Sequence, residues 1–184
     1  MWVNTHAAVW MALLLAAGAM GLGGCPGHVM ELREGMSVPV TEGVAFGRVK
    51  VAVDGVVKRS LAPYGLGTLG LAIVSEATER GEFVILAGDG VFFLHLPAGR
   101  YRIAGFEGMA PHASSSAAGR IAGVFDATPG TACYLGTLVL DFRGSSYDLS
   151  VADDFAADRG LPRTRFSNLD LPVGRCLIAL EARR

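Results

Sequence analysis

Regular alternation of apolar and polar residues, interrupted by tight-turn residues, constrains the fold of this chain more than any other feature of its sequence. Three such segments follow one another, at 82–87, 91–96 and 100–106. The turn Gly88-Asp89-Gly90 lies between the first two, and the turn Pro97-Ala98-Gly99 lies between the last two. Asp-Gly supplies the positive φ angles of a hairpin turn, and proline and glycine favour the second turn. The pattern therefore predicts three β-strands in an antiparallel meander.

Alternating or short apolar segments predict further strands along the rest of the chain, at 44–53, 69–75, 121–125, 132–142, 145–151 and 173–181. The segment 132–142 is apolar on both faces, which predicts a central strand. At 153–160 the pattern changes: Asp153 or Asp154 can cap a helix, Gly160 can end it, and Pro162 opposes its continuation. We therefore expect an all-β, antiparallel β-sandwich with one short helix.

An apolar run ends in Leu22-Gly23-Gly24-Cys25 near the N-terminus. This sequence resembles the lipobox of bacterial lipoproteins, in which the cysteine receives diacylglycerol and the preceding peptide is removed. The resemblance implies a signal peptide over residues 1–24 and a lipid on Cys25. A plain signal peptide or a short membrane span is the alternative. On the lipobox interpretation, the mature chain consists of an irregular tether, residues 25–40, and a β-sandwich domain, residues 41–184.

A lipid-anchored chain of this kind faces the cell envelope, where disulfides persist. Pro26 occupies the position at which Asp commonly retains such proteins in the inner membrane, so the resemblance favours the outer membrane, facing the periplasm. Cys133 and Cys176 remain as an even pair. They form either a disulfide or two small buried hydrophobic residues, and a bridge requires their Cα atoms to lie within about 7 Å of each other.

Residues 96–103, Leu-Pro-Ala-Gly-Arg-Tyr-Arg-Ile, form a recognisable short motif. They resemble the hairpin of transthyretin-like and carboxypeptidase-regulatory-like β-sandwich domains, which are common in envelope lipoproteins. The stretch from Pro129 to Leu138 is similar to a second strand of such proteins. Because these domains are commonly non-catalytic, the resemblance implies a binding or scaffolding role.

Neither composition nor motif points to nucleic acid or metal. The net charge of −1 and the scattered Lys and Arg residues give no basic patch. His28, His95 and His112 have no zinc-ligand spacing, and we expect His28 in the tether and His95 on a solvated strand face. Four acidic residues lie close together, and helix capping explains them better than calcium binding: Asp148, Asp153, Asp154 and Asp158.

The segment Glu107–Gly119 is small and polar and predicts a surface loop after the best-defined strand. His112 with Ser114, Ser115 and Ser116 lacks the nucleophile-elbow sequence of a hydrolase, so these residues predict a binding loop or an unbound insertion. We expect no enzyme activity and no cofactor. The expected function is a lipid-anchored binding or scaffolding module with an envelope protein partner. The alternatives are a subunit of an envelope secretion or transport assembly and, less favoured, an envelope hydrolase.

Overall fold

The computed structural model describes residues 30–57, 68–86, 88–109 and 116–181. These ranges contain twelve β-strands and two short helices. The strands are β1 (Met30–Glu31), β2 (Glu42–Val53), β3 (Val56–Val57), β4 (Thr68–Ser75), β5 (Gly81–Ile85), β6 (Val91–Pro97), β7 (Gly99–Met109), β8 (Ser116–Ala127), β9 (Ala132–Arg143), β10 (Ser146–Ala152), β11 (Val173–Arg175) and β12 (Ala179–Leu180). The helices are α1 (Phe155–Asp158) and α2 (Leu161–Arg165).

The strands form two sheets. Sheet A has the order β1-β6-β2-β9-β10, with β3 beside β2 and β11 beside β9. Sheet B has the order β12-β8-β7-β4-β5. Alternate residues of facing strands enter a shared apolar core, among them Val49, Leu71, Ile103 and Leu138. The predicted all-β sandwich is confirmed.

A second apolar layer covers the outer face of sheet A. Phe46 and Tyr134 contact each other there, and Phe93 packs edge-on against Phe166 from the segment after α2. The N-terminal segment also belongs to this layer: Leu32 is buried, and the N–H of Leu32 donates to the carbonyl of Phe93 at 3.0 Å. Within the described part of the predicted tether, Leu32, Met36 and Val38 therefore pack against the domain.

The centre of sheet A is a parallel pair, β2 and β9, in which Val44 is opposite Ala132 and Val53 is opposite Phe142. Residues 132–138 of β9 are buried on both faces, so the predicted central position is correct. Such double burial matches the run of apolar residues in this segment.

The predicted meander of residues 82–106 is wrong, although its three strands exist. β5 pairs with β4 in sheet B, β6 with β2 in sheet A, and β7 with β4 and β8 in sheet B. The two turns carry the chain from one sheet to the other. Residues 91–96 of β6 are buried on both faces, whereas a meander strand would expose one face to solvent. Local sequence predicts turns and strands, but the partner strand depends on which segments bury the two faces.

Two further segments differ from expectation. Most of the predicted loop Glu107–Gly119 belongs to strands: β7 continues to Met109, β8 begins at Ser116, and the two pair along their lengths. The predicted strand 173–181 is split, because β11 pairs with β9 in sheet A and β12 with β8 in sheet B. The chain crosses between the sheets at Cys176–Ile178, where Ile178 is buried in the core and Cys176 packs against it, whereas Leu177 is exposed.

The predicted short helix is present as α1, and α2 follows directly. Pro162 lies in the first turn of α2, where the missing N–H costs no helical hydrogen bond. Pro162, which was expected to oppose the continuation of the first helix, therefore lies at the start of the second.

The sandwich has two distinct ends. The entry end contains the start of β2, the end of β6 and the start of β9, and the N–H of Gly130 donates to the carbonyl of Glu42 there. The far end contains the Asp54-Gly55 turn, β3 and the close of the β9–β10 hairpin. β1 runs antiparallel to β6 with Met30 opposite His95 and Glu31 opposite Leu94, so Met30 is the residue of β1 nearer the entry end.

Candidate functional site

The charged side chains of β2 and of the helical segment form one cluster on the outer face of sheet A. Arg48 and Lys50 alternate with the core residues Val49 and Val51 and therefore project away from the core. The acidic partners are the N-cap residue of α1, Asp154, and the last residue of α1, Asp158. We call the set the α1 cluster, and its members are Arg48, Lys50, Tyr134, Thr137, Asp154 and Asp158.

Each carboxylate of the α1 cluster has a cation and a hydroxyl beside it. Asp158 accepts from Arg48 Nη2 at 3.1 Å and from the Tyr134 hydroxyl at 3.4 Å. Asp154 accepts from Lys50 Nζ at 2.8 Å and from Thr137 Oγ1 at 3.0 Å. These contacts join α1 to the two central strands of sheet A.

Electrostatics in the α1 cluster follow from these contacts. Hydrogen bonds from Lys50 and Thr137 lower the pKa of Asp154 below its usual value, because they stabilise the carboxylate. Burial raises the pKa of Tyr134, with a further contribution from the charge of Asp158, although its hydrogen bond with Thr137 acts in the opposite direction. Tyr134 therefore stays a neutral donor, and the cluster can fix a helix to a sheet.

The helix-capping interpretation of the acidic residues is correct only for Asp153, whose Oδ1 accepts from the Phe155 N–H at 3.2 Å. Asp154 is the N-cap residue of α1, yet its side chain makes no cap hydrogen bond. Its carboxylate is directed at Lys50 instead. Within the described ranges, no group of three or more metal-ligating side chains is suited to holding a metal ion.

His95 lies inside the protein, so the predicted solvated position is wrong. It is buried in β6, and its Nε2 contacts Oε2 of Glu42. His95 shares the outer face of sheet A with Val91 and Phe93, and the second apolar layer packs on that face.

Cys133 and Cys176 are joined in a disulfide, with Cα atoms 5.6 Å apart. Cys133 is in β9, and Cys176 is at the point where the C-terminal segment leaves sheet A. The bond fixes this crossing segment to the central strand. A shallow groove of about 330 Å³ lies beside it, lined by Arg100, Val124, Phe125, Asp126, Thr128, Cys176, Leu177 and Ala179.

The other predicted site residues are not brought together by the described part of the chain. Cys25, His28, His112, Ser114 and Ser115 lie outside the described residues, and Ser116 is the first residue of β8.

The Leu-Pro-Ala-Gly-Arg-Tyr motif has a defined geometry at the entry end. The hydroxyl of Tyr101 donates to the carbonyl of Pro97 at 3.0 Å, which closes the turn between β6 and β7. Burial raises the pKa of Tyr101, and the nearby charge of Glu42 raises it further. The tyrosine therefore keeps its proton and holds the point at which the chain changes sheet.

The α1 cluster had no local sequence signal. Arg48 and Lys50 are separated from their acidic partners by more than a hundred residues. Only the parallel pairing of β2 with β9, followed by the return through β10, brings the two groups together.

The described fold defines the class of this protein, an all-β sandwich with a helical cover on one sheet. Neither the protein families nor the curated proteins compared with this chain give a significant match. Among solved structures, a leucine-rich repeat protein from Bacteroides thetaiotaomicron VPI-5482 is similar, with a TM-score of 0.34 and 13% identity. The match covers 58% of this chain and 15% of that one.

Proposed function

We propose that this protein is a lipid-anchored module of the bacterial cell envelope that acts by binding or scaffolding. The proposal includes acylation at Cys25, attachment to the outer membrane facing the periplasm, and an envelope protein as partner. We also propose that the domain is transthyretin-like. The Tyr101–Pro97 hydrogen bond supports this, because two residues of the motif together close the turn between β6 and β7.

The observation that carries the proposal is the position at which the chain enters the domain. Cys25 precedes Met30 by five residues, and five residues of fully extended chain span at most about 17 Å. A lipid on Cys25 would therefore hold the entry end near the bilayer. β2 extends over twelve residues, or about 40 Å at the rise of a strand, so the far end would face away from the membrane.

This orientation would present the far-end connections to partners. The turn between β9 and β10 and residues 110–115, which connect β7 to β8, follow strands that end there. Connections on a rigid scaffold commonly carry binding specificity. In the described ranges, no helix is long and apolar enough to cross a membrane.

Metabolic labelling with a fatty acid tests the anchor. The wild-type chain should carry the label and Cys25→Ser should not, whereas Cys133→Ser should still be labelled and serves as the matched control. Label retained in Cys25→Ser would contradict the proposed anchor.

The orientation is tested separately with fluorophores on two exposed valines of the full chain in vesicles that contain nitroxide lipids. Val40 precedes β2 at the entry end, and Val56 lies in β3 at the far end. We expect strong quenching of a label on Val40→Cys and little quenching on Val56→Cys. Equal quenching at both positions would refute the orientation while leaving the acylation result intact.

A further inference from the structure

β5 is an edge strand of sheet B: among the described residues, Gly81–Ile85 pairs with β4 alone. Just beyond the strand, the N–H of Leu86 donates to the carbonyl of Leu69, which is directly opposite in the register, at 2.8 Å. Hydrogen-bonded and non-hydrogen-bonded pairs alternate along an antiparallel ladder. The backbone groups of residues 82 and 84 therefore face β4, and those of residues 81, 83 and 85 face the open edge.

Apart from Glu82, the side chains at this edge are apolar on both faces of the sheet. Val84 and Leu86 enter the core, so Phe83 and Ile85 project from the outer face, where they are 48% and 55% exposed. Half-exposed apolar residues on an open edge favour pairing with another strand, and most proteins place charges there instead.

β10, at the end of sheet A, shows the contrast. Its exposed positions are polar and include Asp148 and Ser150. A charge at such a position disfavours edge-to-edge pairing. Of these two edge strands, β5 has exposed apolar side chains and β10 has exposed polar ones, so β5 is the one suited to an interface.

We propose that β5 pairs antiparallel with β5 of a second copy of this chain, about a two-fold axis at Phe83. Residues 81, 83 and 85 supply the backbone hydrogen bonds, because their groups face the edge. Phe83 is then opposite Phe83 of the second copy, and the two five-stranded sheets join into one.

The charge pattern of β5 suits a second copy. Its sequence is Gly-Glu-Phe-Val-Ile, with one charged residue. In the two-fold register Glu82 is opposite Val84 of the second copy, so no like charges are directly opposed across the interface. Like charges at opposed positions would be destabilising.

The shapes are also self-complementary, as a two-fold interface requires. Gly81 is opposite Ile85 of the second copy, which pairs the residue without a side chain with the most exposed apolar residue of the strand. A Cβ built at Gly81 would lie 3.1 Å from Cγ2 of Val74. The incoming Ile85 would therefore rest on the half-buried Val74.

Disulfide trapping of the full-length chain in its own membrane tests this register. Hydrogen-bonded residues in an antiparallel pair have Cα atoms about 5.5 Å apart, within the range of about 4.4–6.8 Å that a disulfide spans. Phe83→Cys should give a reducible dimer on a non-reducing gel. Ile85→Cys is the matched control, because it faces Gly81 of the second copy and should give no dimer above the wild-type background.

Sedimentation of the detergent-solubilised full-length protein tests the association itself. The wild type should have the mass of a dimer, and Phe83→Lys should reduce it to a monomer. Val57→Lys, at an equally exposed apolar position in β3, should remain dimeric. Thermal melting and an intact Cys133–Cys176 bond would verify that each variant is folded. A monomeric wild type, or equal trapping by Phe83→Cys and Ile85→Cys, would overturn the proposal.

Discussion

Replacing Asp158 by Asn tests how strongly the α1 cluster stabilises the fold. Asp158 is 5% exposed, and its partner Arg48 keeps 22% of its side chain in contact with solvent. Removing one member of a fully buried ion pair costs about 3–5 kcal/mol because the other charge stays buried. Water can reach part of Arg48, and Asn can still accept from Tyr134, so we expect a smaller loss of about 2 kcal/mol.

The loss should be measured as the free energy of unfolding in urea and as a melting temperature. A change of 2 kcal/mol corresponds to about 4–8 °C for a domain of this size. Asp170→Asn is the control, because Asp170 pairs with Arg163 in solvent, with a side chain 94% exposed. Its effect should stay within about 0.5 kcal/mol.

A double-mutant cycle with Arg48→Met separates the ion pair from other effects of the substitution. We expect a coupling energy of about 1 kcal/mol or more between the two positions, since they are in direct contact. If Asp158→Asn costs no more than Asp170→Asn, the α1 cluster does not hold α1 to sheet A and the reasoning is refuted.

Three other perturbations have defined outcomes. Because the pKa of Asp154 is lowered in the folded state, its carboxylate stabilises the protein fully above the usual value of 3.8 and loses this effect as the pH falls through the lowered pKa; unfolding curves should therefore show the difference between wild type and Asp154→Asn disappear in acid. Replacing Cys133 and Cys176 by Ala should cost about 4 kcal/mol, because the bond closes a loop with a sequence separation of 43; two free thiols in the denatured, unreduced wild type would contradict the bridge. Gly90→Ala should destabilise far more than Gly55→Ala: both glycines have positive φ, but a Cβ at Gly90 would meet the Val49 carbonyl oxygen at 2.1 Å and one at Gly55 meets open space; equal melting temperatures would refute this.

Strand positions were predictable because they depend on local periodicity. Alternation predicts the inward side chains of β10, and apolar runs bounded by turn residues predict Leu69–Ser75 and the long β9. The Asp54-Gly55 turn was equally predictable, since both residues have the positive φ angles that this pair adopts readily.

Strand partners were not predictable, because they depend on what covers the second face of a strand. The apolar sequence of β6 reads as one face of a meander, yet the N-terminal segment and Phe166 cover its other face. The same cause explains the wrong expectation for His95. For the α1 cluster, the sequence shows four acidic residues together but contains no sign of the distant cations that bind two of them.

The parallel pairing of β2 with β9 has a consequence for how the chain acquires its structure. Val44 and Ala132 are adjacent in the sheet but lie almost half the chain apart in sequence. Because the polypeptide emerges N-terminus first, β2 cannot pair with β9 until most of the remaining residues have been synthesised. Contacts between distant residues slow folding, because a long loop must close before they form. We therefore expect the nascent protein to stay unfolded until β9 has emerged, which is the state that a translocation channel can thread.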